Sequence, residues 1–197
     1  MSRDRVFAAA AAEFAARGYA GANMDRIARA ARLNKAMIYY HFKSKAALYR
    51  EILRDMFEAV RTAVAEVARS EATPEDKIRR YVEAIATAAE ARPHFPPIWL
   101  RELAEGGEHV DAATLRYVRD VLAALGGIIA EGCKTRRFHP ANPLLVQGGI
   151  IAPLMFFLAS SRTRQRIERT SGASITRDMV VRHIQRLTLA QLEGKIS

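Results

Sequence analysis

The helical spacing of apolar residues is the feature that most constrains this chain. One apolar set follows Asn23 at positions i, i+3, i+4 and i+7 of a short helix: Met24, Ile27, Ala28 and Ala31. The same period recurs along almost the whole sequence, and no segment has the period of two that is typical of a strand. The pattern therefore predicts an all-α protein of about nine helices.

Caps and helix breakers divide this pattern into segments. Gly18 is predicted to end the first helix, and Arg162–Ser174 is predicted to be a loop or a frayed helix end. The remaining helices are predicted at 24–31, 35–42, about 45–70, 74–91, a short segment through 105, 111–134, 142–161 and 176–193. The first three helices are short, so we expect a small N-terminal domain over 1–46 and a larger helical domain over 47–197.

Positive charge is concentrated at the N-terminal end. The 197 residues carry a net charge of +10, and residues 1–50 contribute ten Lys or Arg against three Asp or Glu. A basic N-terminal segment followed by a chain of nearly balanced charge is typical of a nucleic-acid binder. A membrane-surface module could have a similar distribution, so charge alone does not decide between the two.

Two short helices separated by a tight turn predict a helix-turn-helix. The segment 23–31 would cross the DNA backbone, and 35–41 would enter the major groove. Ile38 and Phe42 lie four residues apart, so they share a face that should pack on the core. The opposite side would then point toward DNA. Tyr39 is expected to face DNA and Tyr40 to be partly packed.

The order of these motifs resembles the TetR family of transcriptional regulators over about the first 50 residues. The residues that carry the resemblance are Val6, Ala10, Phe14, Gly18-Tyr19, Met24-Asp25-Arg26-Ile27-Ala28, Ile38-Tyr39-Tyr40-His41-Phe42-Lys43-Ser44-Lys45 and Leu48. The family usually has Gly where this chain has Arg32, in the turn, and often has Gly where it has Arg136. A non-Gly residue in the turn must accept the turn conformation at some cost.

The resemblance implies a homodimeric repressor that binds a roughly palindromic double-stranded DNA operator and is released by a small-molecule effector. It also implies that the two last long helices, 142–161 and 176–193, pair with those of a second copy. The predicted DNA-binding residues are Asn23, Arg26, Asn34, Lys35, Ala36, Met37, Tyr39, Tyr40, His41, Lys43 and Lys45. Among them, Lys45 is the clearest phosphate contact, because its amide begins a helix whose N-terminus favours an anion.

A cavity among helices needs apolar walls and a few polar groups, which the larger domain can supply. The candidate effector-pocket residues are Phe57, Tyr81, His94, Phe95, Trp99, Glu102, Leu103, Tyr117, Met155 and Phe156. Arg101 and His109 are further polar candidates. For any single residue of this set, a place in the core is the alternative.

The sequence does not indicate a disulfide, a metal site or a catalytic site. Cys133 is the one cysteine, which allows no disulfide within the chain and is expected to be a small buried apolar residue. The set His94, Glu102, Glu105 and His109 fits no standard metal-ligand spacing. No catalytic or nucleotide-binding motif is present, so neither an enzyme nor a cofactor is expected.

A signal peptide is not visible, and the longest apolar stretch, Gly148–Ala159, is too short to cross a bilayer. We therefore expect a cytoplasmic, nucleoid-associated protein without a membrane partner. The alternative is a small helical ligand-binding protein or enzyme whose basic N-terminal face binds something other than DNA.

Overall fold

The computed structural model of the chain describes residues 2–172 and 174–195. Ten α-helices and no strand occur in these ranges. They are α1 Ser2–Gly21, α2 Met24–Ala31, α3 Lys35–Phe42, α4 Lys45–Arg69, α5 Pro74–Glu90, α6 Phe95–Ala104, α7 Ala112–Lys134, α8 Pro143–Ala159, α9 Ser161–Ser171 and α10 Arg177–Leu192. The prediction of an all-α fold is confirmed.

The stretch predicted to be a loop contains α9, so the structure has ten helices where about nine were expected. Arg164 Nη1 donates to Glu168 Oε1 at 3.1 Å, one turn later on the same helix. Gly172 then ends the helix in the left-handed conformation (φ 68°). An i,i+4 ion pair and a terminal Gly stabilise a helix without an apolar period. Ala173, at the end of that predicted loop, lies outside the described residues.

Side-chain caps begin the helices at the predicted positions. Thr73 Oγ1 accepts from the backbone N–H of Asp76 at 3.2 Å, and Asn142 Oδ1 accepts from that of Leu144 at 2.9 Å. In α1, Gly18 adopts φ 68° and ψ 177°, which interrupts the helical backbone before the helix resumes and ends at Gly21. The predicted stop is therefore a kink, because one further turn follows it.

The described residues form two compact units. The first comprises Met1–Glu58 and Arg92–Arg116, and the second comprises Ala59–Ala91 and Tyr117–Ser197. The predicted domain boundary between residues 46 and 47 stays a prediction. The core of the first unit includes the fully buried side chains of Val6, Phe14, Ile27, Ile38, Leu48 and Leu53. The core of the second includes those of Val64, Ile78, Val82, Leu125, Ile150 and Leu154.

Polar contacts in the second unit join α10 to α5. Arg177 Nη2 lies 2.6 Å from Glu83 Oε1, and its Nε donates to Glu90 Oε2 at 3.0 Å. Gln185 Nε2 donates to the backbone carbonyl of Arg79 at 2.9 Å. These contacts fix one side of α10, while Met179 and Leu187 remain exposed.

Within the ranges given above, no single helix has the length and apolar character that a membrane span requires. Only α8 and α9 taken together reach that length, and they meet at an angle of 77°.

Candidate nucleic-acid interface

The turn between α2 and α3 is built around Arg32, in the first unit. Arg32 adopts the left-handed conformation, with φ 54° and ψ 47°. Its N–H donates to the carbonyl of Arg29 at 3.1 Å, and the next N–H, of Leu33, donates to that of Ala28 at 3.0 Å. A non-Gly residue in this region costs about 1–2 kcal/mol. The chain therefore keeps the tight turn in spite of the missing Gly.

The two faces of α3 differ sharply in burial. Ile38 and Phe42 are buried, and the exposed fraction rises to 40% for Tyr39 and 71% for Tyr40. The expectation that Tyr40 would be the partly packed residue of the pair is wrong. At about 100° per residue, Tyr40 lies opposite the Ile38–Phe42 stripe, whereas Tyr39 lies beside it.

Two Asn residues predicted to contact DNA cap the helices of this motif. Asn23 Oδ1 accepts from the backbone N–H of Asp25 at 2.7 Å, at the start of α2. Asn34 Oδ1 accepts from that of Met37 at 2.9 Å, at the start of α3. Both side chains are thus bound to the backbone in the free protein, which fixes where α2 and α3 begin.

Two predicted basic contacts are paired with acids in the free protein. Arg26 Nε donates to Glu13 Oε1 at 2.7 Å, which joins α2 to α1. Lys35 Nζ lies 3.0 Å from Asp25 Oδ2, and both side chains of this pair are largely exposed. An exposed ion pair contributes about 0–1 kcal/mol, so Lys35 can exchange Asp25 for a phosphate at little cost.

The C-terminal end of α3 brings together His41 and Lys43. His41 Nε2 lies 2.9 Å from Ser2 Oγ, so its side chain contacts the start of α1. Lys43 is exposed, and its Nζ donates to the Tyr40 carbonyl at 3.4 Å. Lys43 has a positive φ of 63°, which separates the end of α3 from the start of α4.

Lys45 begins α4 and lies against the end of α1. Its Nζ donates to the carbonyl of Ala20 at 3.3 Å and lies 4.7 Å from the centroid of the Tyr19 ring. Ser44 Oγ caps α4 by accepting from the Ala47 N–H at 3.0 Å. The role of Tyr19 under this ammonium was not predicted, because sequence spacing does not bring the end of α1 to the start of α4.

The outward face of α3 thus combines aromatic, small and basic side chains on a helix of eight residues. The exposed members are Lys35, Ala36, Tyr39 and Tyr40. A helix of this length, held by Ile38 and Phe42 on its other side, fits the major groove of B-DNA. The geometry is that of a helix-turn-helix with α3 as the recognition helix.

Comparison with known families identifies this motif. The model of the bacterial regulatory proteins of the tetR family matches residues 6–52, which span α1 to α3 and the start of α4. The chain therefore carries a TetR-family helix-turn-helix domain at residues 6–52. It is accordingly a DNA-binding transcriptional regulator.

Individual relatives of this chain are transcriptional regulators. The repressor NicS of Pseudomonas putida is 28% identical over 163 residues, which cover 82% of this chain and 77% of NicS. The repressor SCO4008 of Streptomyces coelicolor is 48% identical over 52 residues, 26% of this chain and 27% of that protein. The stronger identity is thus confined to a short segment.

Solved structures share the fold along almost the whole chain. PfmR of Thermus thermophilus superposes with a TM-score of 0.76 at 23% identity, covering 96% of this chain and 100% of PfmR. FadR of Bacillus subtilis, solved with stearoyl-CoA, gives a TM-score of 0.74 at 16% identity and covers 96% and 99%.

In the first unit, three of the predicted pocket residues form one aromatic cluster. The Phe57 ring centroid lies 4.8 Å from that of Trp99 and 5.6 Å from that of Phe95, both edge-to-face. Glu102 is fully buried on α6, whereas His94 and Leu103 are exposed. The structure thus brings the three aromatic residues together, whereas His94 and Leu103 lie at the surface.

The other predicted pocket residues belong to the second unit. Tyr81 is fully buried, and its hydroxyl lies 2.8 Å from Gln147 Oε1 and 3.2 Å from the Val121 carbonyl. Burial raises the pKa of Tyr81, so the phenol stays protonated. The Arg61 guanidinium lies 5.3 Å from the Tyr117 ring centroid. Met155 is buried on α8.

A groove of about 790 Å³ runs between α8, α9 and α10 in the second unit. Its walls are mostly apolar, and they include Phe156, Phe157, Ile167 and Met179, with Arg164 at the side. Phe156, at 71% exposure, is the one predicted pocket residue among those lining it.

Over the described part of the chain, no group of three or more His, Cys, Asp or Glu side chains could hold a metal ion. Cys133 is a free thiol and is half-buried at the end of α7.

Proposed function

We propose that this regulator is a homodimeric repressor that binds a roughly palindromic operator through α3 and is released by a small-molecule effector. The observation that carries the proposal is the outward face of α3, where Tyr39, Tyr40 and Lys35 are exposed while Ile38 and Phe42 are buried. NicS and SCO4008, two of its relatives, are transcriptional repressors.

The proposed DNA contacts divide into two groups by their geometry. Side chains on the outward face of α3 would meet base edges, where Tyr hydroxyls form hydrogen bonds and apolar groups touch thymine methyls. Lys43 and Lys45, at the end of α3 and the start of α4, would bind phosphates. Asn23 and Asn34 would contribute mainly by fixing α2 and α3, since their side-chain oxygens already accept backbone N–H bonds.

The proposed dimer interface lies on α8 and α10. No Asp, Glu, Lys or Arg occurs in α8, and its exposed face includes Leu145, Ala152 and Phe156 at positions i, i+7 and i+11. Met179 and Leu187 are exposed on α10. Large exposed apolar patches mark interaction sites, and pairing two copies of these helices would bury them in a four-helix bundle. A two-fold dimer also matches a palindromic operator.

For the effector, the aromatic cluster of Phe57, Phe95 and Trp99 is the proposed apolar contact surface in the first unit. FadR was solved with stearoyl-CoA, so a ligand with an apolar part is compatible with the fold. Release requires only a few kcal/mol of difference in effector affinity between the DNA-bound and free conformations.

A gel shift tests the proposal. Purified full-length protein is titrated into DNA from upstream of its own gene, and into control DNA of equal length and base composition, at two salt concentrations. We expect retardation of the upstream DNA at protein concentrations that leave the control unshifted, with weaker binding at the higher salt. Equal binding to both DNAs, or none at low salt, would overturn the proposal.

A further inference from the structure

A fully buried carboxylate lies in the first unit, on α6. Glu102 Oε2 accepts from the Tyr49 hydroxyl at 3.0 Å, and Oε1 accepts from the backbone N–H of His109 at 2.6 Å. The ring Nδ1 of His109 lies 3.2 Å from Oε2. Burying a carboxylate is costly unless hydrogen bonds and charge compensate it, so these contacts fix His109 firmly.

The imidazole fixed in this way packs on Tyr19. The centroids of the His109 and Tyr19 rings are 3.9 Å apart, and the Tyr49 ring lies 5.1 Å from each of them. Burial raises the pKa of Tyr49, and the negative charge of Glu102 raises it further, so Tyr49 remains a hydrogen-bond donor. Tyr19 therefore packs against the rings of Tyr49 and His109, and both of these side chains contact Glu102.

Tyr19 in turn lies under Lys45. Gly18 interrupts α1 with φ 68°, so the backbone preceding Tyr19 is not that of a regular helix. The ring is instead positioned by its neighbours, and its centroid lies 4.7 Å from Lys45 Nζ. A cation–π contact depends on the ring face being presented to the cation, so the orientation of Tyr19 affects the position of the ammonium.

We propose that Glu102 and His109 are positioning residues for DNA binding, which act through Tyr19 to hold Lys45 in place for its phosphate contact. Neither residue lies in the helix-turn-helix, and they follow Lys45 in sequence by 57 and 64 positions. This inference rests on the proposed phosphate contact of Lys45. It makes α6 and the segment after it determinants of operator affinity.

Operator titrations with His109→Ala and Glu102→Gln test the inference. His109→Ala removes the ring, and Glu102→Gln removes the buried charge while keeping the size of the side chain. We expect His109→Ala to weaken operator binding about three- to tenfold, the factor that a cation–π contact is worth. The slope of log affinity against log salt should fall by about one unit, and Glu102→Gln should act in the same direction.

A matched control and a double mutant separate positioning from a general loss of stability. His139→Ala removes an exposed His between α7 and α8, in the second unit, and should leave affinity and salt slope unchanged. In the Lys45→Ala background, His109→Ala should have no further effect, because both changes remove the same phosphate contact. Far-UV circular dichroism shows that each variant is folded.

Additive effects of His109→Ala and Lys45→Ala would overturn the inference. Wild-type operator affinity and a wild-type salt slope in both Glu102→Gln and His109→Ala would also overturn it. If His109→Ala does not fold, His109→Phe replaces it, because Phe keeps a ring on Tyr19 but cannot contact Glu102. Wild-type operator binding by both His109→Phe and Glu102→Gln would then overturn the inference. A wild-type protein that fails to bind the operator would contradict the proposed function itself.

Discussion

Arg54 and Asp111 form an ion pair that joins α4 to the start of α7 within the first unit. Arg54 Nε donates to Asp111 Oδ2 at 3.0 Å, and Nη2 contacts the same oxygen. Asp111 Oδ1 also accepts from the Thr114 N–H at 2.9 Å, which caps α7. Burial alone would raise the pKa of Asp111, but the Arg54 and Thr114 hydrogen bonds outweigh it and lower the pKa from 3.8 to about 2.

We predict that Asp111→Asn destabilises the protein at neutral pH by on the order of 2 kcal/mol. Because the folded-state pKa is lowered, the stabilisation is present above the ordinary value of 3.8 and is lost as pH falls from there toward 2. Urea unfolding at several pH values measures it, with Asp120→Asn on the exposed side of α7 as the control. A deficit that is the same at all pH values would contradict the assignment.

Lys45→Ala should weaken binding to operator and non-operator DNA by similar factors, because a phosphate contact carries no sequence information. The salt slope should fall by about one unit. Fluorescence anisotropy at four salt concentrations measures both quantities. Lys134→Ala, which removes an exposed Lys at the end of α7, is the matched control. An unchanged slope for Lys45→Ala would show that its ammonium does not contact a phosphate.

Tyr39→Ala should reduce operator affinity by a factor of about five, the lower end of what a base contact is worth, and should affect non-operator DNA less. Since Tyr39 is 40% exposed and is not part of the buried stripe, the helical far-UV signal should be unchanged. Leu115→Ala, at a similarly exposed apolar residue on α7, should change neither the operator affinity nor the helical far-UV signal. Loss of both binding and helical signal would make Tyr39 a structural residue.

Arg32→Gly should stabilise the protein by about 0.5–1 kcal/mol, because Gly accepts the left-handed conformation without the penalty that Arg incurs. The expected rise in Tm is about 1–4 °C for a chain of this size. Arg29→Gly, in the helical part of α2, should instead lower the stability by about 1 kcal/mol. Thermal unfolding distinguishes the two variants, and a lower Tm for Arg32→Gly would contradict the strain assigned to the turn.

Phe156→Asp should convert the proposed dimer into a monomer, because it places a charge in the apolar face of α8. Light scattering coupled to size exclusion measures the mass. Leu103→Asp, at a comparably exposed apolar residue on α6, should remain dimeric. A Phe156→Asp dimer, or a wild-type monomer at micromolar concentration, would contradict the proposed interface.

Local patterns were sufficient for the helix-turn-helix. An Asn cap followed by an apolar period predicted α2 at Met24–Ala31, and the structure has those bounds. Arg32 was identified as a residue that must accept the turn conformation, and its φ is 54°. Both predictions depend only on neighbouring residues, whose spacing the sequence displays directly.

The errors and omissions have physical causes. Tyr40 was predicted to be partly packed, but it lies on the side of α3 opposite the buried Ile38–Phe42 stripe and is exposed. The helix α9 was missed because it has no buried residue and so no apolar period. The contact of Tyr19 with His109 joins residues 90 positions apart, and only the packing of the helices brings the two rings together.

The most direct test of the central claim, that α3 binds operator DNA as part of a symmetric dimer, is a hydroxyl-radical footprint of the purified protein on DNA upstream of its gene. We predict two protected half-sites related by a two-fold axis and separated by about one helical turn or a multiple of it. The protection should disappear for Tyr39→Ala at the same protein concentration. Uniform protection along the DNA, or none, would contradict the account.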